Sequence, residues 1–178
     1  MSKTKSFIFQ GKQSFSSSKL EQIRSQFNKS NNLNAEIHSN EIYLILADSD
    51  AFNLDGILDV LSASTQDEEF SFYVGPRLGT ISPWSSKTED IVRNVGLDKI
   101  LRVEKLFGFK INQEFVYQDL DVSMFFDRMT QSIYPTKKDF ENLFVSDIPR
   151  SLNYIDLINK GKKELETANK SFGFAMSG

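Results

Sequence analysis

The sequence contains no cysteine and only one histidine among its 178 residues. Without cysteine there is no disulfide framework, no thiolate metal site and no cysteine nucleophile. The single imidazole, His38, excludes zinc or copper sites built from several histidines. We interpret His38 as an exposed side chain beside a turn, so any catalysis based on histidine or cysteine is not expected here.

An excess of basic charge is also missing. The chain has 21 Lys and Arg against 24 Asp and Glu, with a net charge of −3 and no block of basic residues, so nucleic acid is not an expected partner. The longest apolar run, 42–47, is far below the roughly 20 residues that span a bilayer. The apolar stretch at 7–9 is too short for a signal peptide. We therefore expect a cytoplasmic protein without a membrane partner.

Hydrophobic spacing and turn residues predict an α+β protein. A capping box of Ser18 and Glu21 would begin a helix that ends near Lys29. Ser39 and Asn40 resemble the turn of a hairpin. The elements predicted for the first half are, in order, a strand at 7–9, this helix, a hairpin of strands 36–38 and 41–46 and a helix at about 54–63. A strand at 70–74 opens the second half.

The pattern then begins again. Residues 85–91 repeat residues 17–23 with five identities in seven positions, and the second helix would stop at Gly96, a good residue after a helix C-terminus. A second hairpin at 99–104 and 106–111 and a helix at about 122–133 would follow. We therefore predict a duplicated domain, 1–135, with halves of about 1–70 and 71–135 whose sheets pack together. Residues 136–178 would be a linker segment with a helix at 154–174, and we expect this segment to be truncated.

The most unusual segment is 75–91, which holds two of the four prolines and the only tryptophan. It lacks the Lys-Ser/Thr pair of a phosphate loop and the three close glycines of a dinucleotide fingerprint. A helix start near Ser86, next to Lys87, would offer free N–H groups to a small anion. Equally, Ser85 and Ser86 would simply cap the helix. Trp84 is either a core anchor for the loop or a contact for another domain.

Carboxylates gather near the start of the second predicted helix, at Asp48, Asp50 and Asp55. A favourable interaction with the helix dipole explains them without a metal. Glu68-Glu69 and the pair Asp119 and Asp121 are interpreted as solvated turns. The residues therefore form no catalytic or metal-binding constellation, and none is assigned.

Three segments resemble one enzyme family. Residues 76–87, Pro-Arg-Leu-Gly-Thr-Ile-Ser-Pro-Trp-Ser-Ser-Lys, continuing through Asp90-Ile91 and 94–97, are similar to the N-terminal domain of the large, single-chain phosphoribosylformylglycinamidine synthase. Phe126-Asp-Arg-Met-Thr130 is similar to a further segment of that domain. Asp156-Leu157, Gly161-Lys162 and Ala168-Asn169 resemble the start of its linker. Val95 departs from the family's cysteine at that position.

The resemblance implies a purine-biosynthesis ligase that uses ATP, Mg²⁺ and glutamine to convert formylglycinamide ribonucleotide to its amidine. It implies a fold like a fused dimer of the small subunit that bridges synthetase and glutaminase in other organisms. The fragment alone would be no enzyme and would bind no cofactor. Its partners would be the synthetase and glutaminase domains of the same enzyme, to which it would dock and between which it would help ammonia transfer.

The docking or substrate-proximal loop is predicted to consist of seven residues that follow the strand predicted at 70–74. They are Arg77, Thr80, Ser82, Trp84, Ser85, Ser86 and Lys87. The alternative is a self-contained interaction module that binds a small anionic ligand at the helix start near Ser86.

Overall fold

The computed structural model describes residues 4–48, 52–65, 68–113, 119–144 and 154–172. The chain divides into two compact units, Met1–Ser146 and Asp147–Gly178. The first unit is α+β, as predicted. Its elements are β1 Lys5–Gln13, α1 Ser17–Asn31, β2 Ile37–Ala47, α2 Leu54–Leu61, β3 Phe72–Pro76, α3 Pro83–Asn94, β4 Ile100–Ile111, β5 Gln131–Tyr134 and α4 Lys137–Glu141, with 3-10 turns at Ser123–Phe125 and Asn142–Phe144.

The described strands form one antiparallel sheet in the order β1-β2-β4-β3-β5. The long strands β2 and β4 are central and pair along their length, from Ile37 opposite Ile111 to Ala47 opposite Ile100. β1 flanks β2, and β3 flanks β4. The strands of the two predicted halves therefore join edge to edge in one sheet, instead of lying in two sheets face to face. The order of elements is compatible with duplication, which stays a prediction.

Helices cover both faces of this sheet. On one face α2 and α3 bury Ile57 and Val92 against β2 and β4, while α1 buries Phe27 beside Phe109 and Phe125. The other face is covered by α4 and the turn that follows it. The core there consists of buried residues from the central strands, the flanking strands and this cover, among them Ile42, Leu44, Leu106, Phe140 and Leu143. The face with α1 and α3 carries the candidate site between those helices.

Local helix predictions were largely correct. α1 occupies the predicted range, but its N-cap is Ser16, whose hydroxyl accepts from the Lys19 N–H at 3.3 Å. The predicted capping box of Ser18 and Glu21 is therefore wrong by two residues. α2 begins after Asn53 as predicted, with the Asn53 side chain accepting from the Gly56 N–H at 2.9 Å. Gly96 follows α3 with a φ of 77°, as expected of a glycine after a helix end.

Three longer predictions were wrong. The two predicted hairpins are the single strands β2 and β4, so Ser39-Asn40 lies within a strand. The predicted helix at 122–133 is instead a short 3-10 turn followed, from Gln131, by β5. The repeated sequence motif also does not align the two helices as the structure does. The N-caps Ser16 and Ser82 are 66 residues apart, whereas the motif repeats at an offset of 68, so it cannot itself support duplication.

The second unit contains one described helix, α5, at Leu157–Phe172. Gly161 interrupts it with non-helical angles (φ 60°, ψ −152°), a conformation with a positive φ that glycine adopts readily. Tyr154 and Ile158 are almost fully exposed. No helix in the described ranges has the length and apolar character needed to cross a bilayer. The predicted boundary between domain and linker at 135/136 remains a prediction.

Candidate functional site

The candidate loop leaves the sheet where β3 ends. β3 pairs with β4 only at Phe72–Val74, and Pro76 pairs with Gln131 of β5. The chain then turns tightly, because the Thr80 N–H and hydroxyl both donate to the Arg77 carbonyl, at 3.1 and 2.7 Å. Gly79 takes a φ of 76° within this turn, a conformation that suits glycine. The loop therefore has a defined shape that its backbone and hydroxyl groups stabilise.

A buried carboxylate fixes the end of the loop. Glu104 of β4 is fully buried and accepts from the Ser82 N–H at 3.1 Å and the Ser82 hydroxyl at 2.7 Å. Arg102 pairs with the same carboxylate at 2.7 Å and also donates to the Thr80 carbonyl at 2.8 Å. β3 does not pair with this part of β4. The bonds from Ser82 to the Glu104 carboxylate therefore connect the loop to the strand.

The helix start lies earlier than the sequence predicted. Ser82 is the N-cap of α3, with its side chain accepting from the Ser85 N–H at 3.0 Å, and Pro83 opens the helix. The Ser86 N–H is already bonded to the Ser82 carbonyl at 3.3 Å. The predicted helix start near Ser86 is therefore wrong. At the true start the carboxylate of Glu104 already satisfies the Ser82 N–H, so the proposed anion site at Ser86 loses its structural basis.

Trp84 packs against the protein core and also lines the surface. Its indole stacks on the Tyr43 ring with centroids 5.8 Å apart, and it packs on the core cluster beneath α2 and α3. The Lys105 ammonium lies 5.1 Å from the indole centroid. Trp84 is nonetheless only half-buried. The anchoring interpretation is thus correct for one side of the ring, while contact with another domain stays a prediction.

A groove of about 560 Å³ gathers four of the seven predicted residues. It is open to solvent along one side and runs between the loop after β3 and the turn before β5. Its lining consists of loop residues, two central-strand residues and three residues from the 127–131 region: Pro76, Arg77, Thr80, Ile81, Ser82, Pro83, Trp84, Lys105, Phe107, Met129, Thr130 and Gln131.

The other three predicted residues lie elsewhere. Ser85 is buried in α3, and its hydroxyl donates to Glu89 at 3.4 Å. Ser86 and Lys87 are exposed on α3 and do not line the groove. A role for these three in an interface remains a prediction. Asp50 lies outside the described residues, and His38 is exposed as expected, although on β2 and not beside a turn.

The 127–131 turn was missed as part of the site, although its sequence had been noticed. The Asp127 carboxylate accepts from the Met129 N–H at 2.8 Å and the Thr130 hydroxyl at 2.9 Å. These two bonds, and then the nearby charge of Arg77, lower the pKa of Asp127. Arg77 also donates to the Arg128 carbonyl at 2.6 Å. The signal that could have joined the two segments was their shared resemblance to one family.

Lys105 and Phe107 were missed because they belong to a strand. Lys105 pairs with the buried Glu41 at 3.3 Å, and Tyr43 donates to the other Glu41 oxygen at 2.6 Å. Burial first, and then the hydrogen bond with Glu41, raises the pKa of Tyr43. The Phe107 ring lies 5.8 Å from the Lys105 ammonium. The groove therefore has an aromatic floor that also holds a cation.

The architecture and this groove define the class: an α+β domain with helices on both faces of a five-stranded sheet and a hydrogen-bonding groove between two surface loops. The chain belongs to the family described as formylglycinamide ribonucleotide amidotransferase N-terminal, which matches residues 7–144. The match includes both the 76–87 segment and the 126–130 segment, and it confirms the resemblance predicted from them. The family places the chain in an enzyme of purine biosynthesis.

Proposed function

We propose that this domain docks on the synthetase core of a formylglycinamide ribonucleotide amidotransferase and helps ammonia pass from the glutaminase. The whole enzyme would use ATP, Mg²⁺ and glutamine to form the amidine from formylglycinamide ribonucleotide. The observation that carries the docking role is the apolar rim of the groove. Ile81 is 61% exposed and Met129 is 81% exposed, on the two loops that flank it.

Exposed apolar residues on both sides of one groove are typical of a surface that another protein surface covers. The groove floor adds Trp84, whose large half-buried ring is of the kind that dominates interface energetics. Among the described residues, no group of three or more His, Asp or Glu side chains is placed to hold a metal ion. The proposal assigns this domain positioning and exclusion of water.

The test is a pair of rim variants in the full-length enzyme, Ile81→Glu and Met129→Glu. Both side chains are exposed, so neither change should disturb folding. If the rim is covered, a buried unpaired charge should weaken docking by more than about 1.4 kcal/mol, or about tenfold. The matched control is Val95→Glu, which is 55% exposed at the other end of α3.

Amidine formation should be assayed with glutamine and separately with free ammonia. We expect the rim variants to lose at least about tenfold in glutamine-dependent activity while ammonia-dependent activity is retained and the control is unchanged. Equal loss of both activities would show that the groove helps shape the synthetase site and would refute the coupling role. Full retention of both activities in both rim variants would refute docking through this groove.

A further inference from the structure

The groove presents two cationic side chains, Arg77 and Lys105, that have more N–H donors than the acceptors found for them among the described residues. The Arg77 guanidinium donates to the Arg128 carbonyl, and within the described ranges it forms no ion pair. Asp127, a carboxylate that feels the charge of Arg77, already accepts two bonds from its own turn. Lys105 has three N–H donors, and its described carboxylate contact is with Glu41. Two cations therefore retain donor capacity at one groove.

The hydroxyls of the lining are used differently. Thr80 donates to the Arg77 carbonyl, Ser82 to Glu104 and Thr130 to Asp127. Their protons are therefore engaged within the protein, and the groove has no carboxylate in its lining. A ligand that fits must supply acceptors, and an anionic group such as a carboxylate forms strong charge-assisted hydrogen bonds with a guanidinium or an ammonium.

Lys105 is held in place by its surroundings. Its ammonium pairs with the buried Glu41 and lies near the Trp84 and Phe107 rings, 5.1 and 5.8 Å from their centroids. A buried ion pair is weak evidence for stability, because desolvation opposes the attraction of the charges. Its effect here is to fix a cation at the floor of the groove, where a bound acceptor would meet it without further ordering.

We infer that the groove binds an acidic side chain flanked by apolar residues, carried by the synthetase part of the same enzyme. This inference rests on the proposed docking function and adds the chemistry of the docked segment. The carboxylate would bond to Arg77 and Lys105, and its apolar neighbours would cover Ile81 and Met129. A small-molecule occupant fits less well, because ligand pockets bury most of their ligand, whereas this groove is open and has an exposed apolar rim.

The first experiment places a photo-crosslinking amino acid at position 129 of the full-length enzyme. We expect a covalent link to a peptide of the synthetase part that contains Asp or Glu next to apolar residues. The control position is 29, where Lys29 is exposed at the end of α1. A linked synthetase peptide without an acidic residue would overturn this inference and leave docking intact. No link beyond the control level would overturn both.

The second experiment tests the charge of Arg77 in the enzyme that carries the photo-crosslinking amino acid at position 129. Arg77→Gln should reduce the yield at position 129 because the docked population falls about tenfold, the effect of one charged hydrogen bond. Arg93→Gln, an exposed arginine near the end of α3, is the matched control and should change nothing. An unchanged yield with Arg77→Gln would overturn the inference. So would a yield abolished by added formylglycinamide ribonucleotide, because that result would make the substrate the occupant.

Discussion

Removing the Glu104 carboxylate should be the most damaging single change near the loop. Glu104 is fully buried and accepts two bonds from Ser82 and an ion pair from Arg102, whose side chain is only 15% exposed. Glu104→Ala would leave the Arg102 charge and the Ser82 N–H without their partner. Breaking a buried pair in this way costs about 3–5 kcal/mol, a large part of the about 5–15 kcal/mol that stabilises a typical domain.

Urea unfolding followed by the fluorescence of Trp84 is a suitable assay, because Trp84 is the only tryptophan and adjoins this loop. The control is Glu68→Ala, which removes an exposed partner of Lys110 and should cost less than about 1 kcal/mol. Glu104→Ala should also lower the melting temperature by about 10 °C. Equal losses of free energy of unfolding in the two variants would refute the argument that Glu104 bonds the loop to β4.

Other variants test packing and ionisation. Gly108→Ala should lower the free energy of unfolding by about 1–3 kcal/mol, because an added Cβ would lie 2.7 Å from the Phe70 ring; the loss should shrink in a Phe70→Ala background. Gly79→Ala meets no atom within 4 Å and should cost only about 1 kcal/mol through its positive φ, in either background. Burial first, and then the charge of Glu104, raises the pKa of Tyr134 from 10 to about 12. The folded state therefore keeps a proton that the unfolded state loses, so stability should fall from pH 10 to 12, and pH-dependent urea unfolding should show a smaller fall in Tyr134→Phe.

The parts of the fold that local sequence decides were predictable. The Asn53 side chain caps α2 by accepting from the Gly56 N–H. Gly96 follows the end of α3 with a positive φ. Ile23 and Phe27 recur at helical spacing and are both buried, so the inward side of α1 is also visible in local sequence. Each of these signals lies within a few residues of the feature that it specifies, so one sequence is enough to find it.

The prediction for the two central strands, β2 and β4, was wrong because their polar residues have hydrogen-bond partners far along the chain. Ser39 and Asn40 resemble a hairpin turn, yet the Ser39 hydroxyl lies 3.0 Å from that of Ser14, and the Asn40 amide donates to Gly11 at 3.2 Å. These contacts satisfy the polar groups while β2 continues. Likewise, Lys105 lies in the middle of β4 because Glu41 pairs with it. Hydrophobic patterning contains no information about such partners.

The wrong prediction of a helix at 122–133 has a different cause. Its apolar residues recur at nearly helical spacing, but Asp127 accepts from the Met129 N–H and the Thr130 hydroxyl and forms a local turn instead. Short acidic side chains compete with helical bonding in this way. The same turn supplies one wall of the groove. Because this stretch was assigned to a helix, that wall was not predicted.

The Glu41–Lys105 pair bears on the predicted duplication. β2 and β4 end at Ala47 and Ile111, an offset of 64 residues, and the same offset relates Glu41 to Lys105 and Tyr43 to Phe107. Each of these two aromatic rings also contacts a ring near the start of a helix. Trp84 stacks on Tyr43 with centroids 5.8 Å apart, and Phe15, just before α1, lies tilted against Phe107 at 5.0 Å.

In a dimer of identical subunits, a two-fold axis relates each residue to its own copy. A glutamate at this central position would therefore face a glutamate, and a lysine would face a lysine. Two halves within one chain would be free of that constraint. If the predicted duplication holds, Glu41 and Lys105 occupy equivalent positions, and their ion pair at 3.3 Å stands where a symmetric dimer would have like charges. The same freedom would allow the groove that contains Trp84 to differ from the equivalent surface of the other half. A fused pair of halves would thus gain a single, directional groove that a symmetric dimer could form only in duplicate.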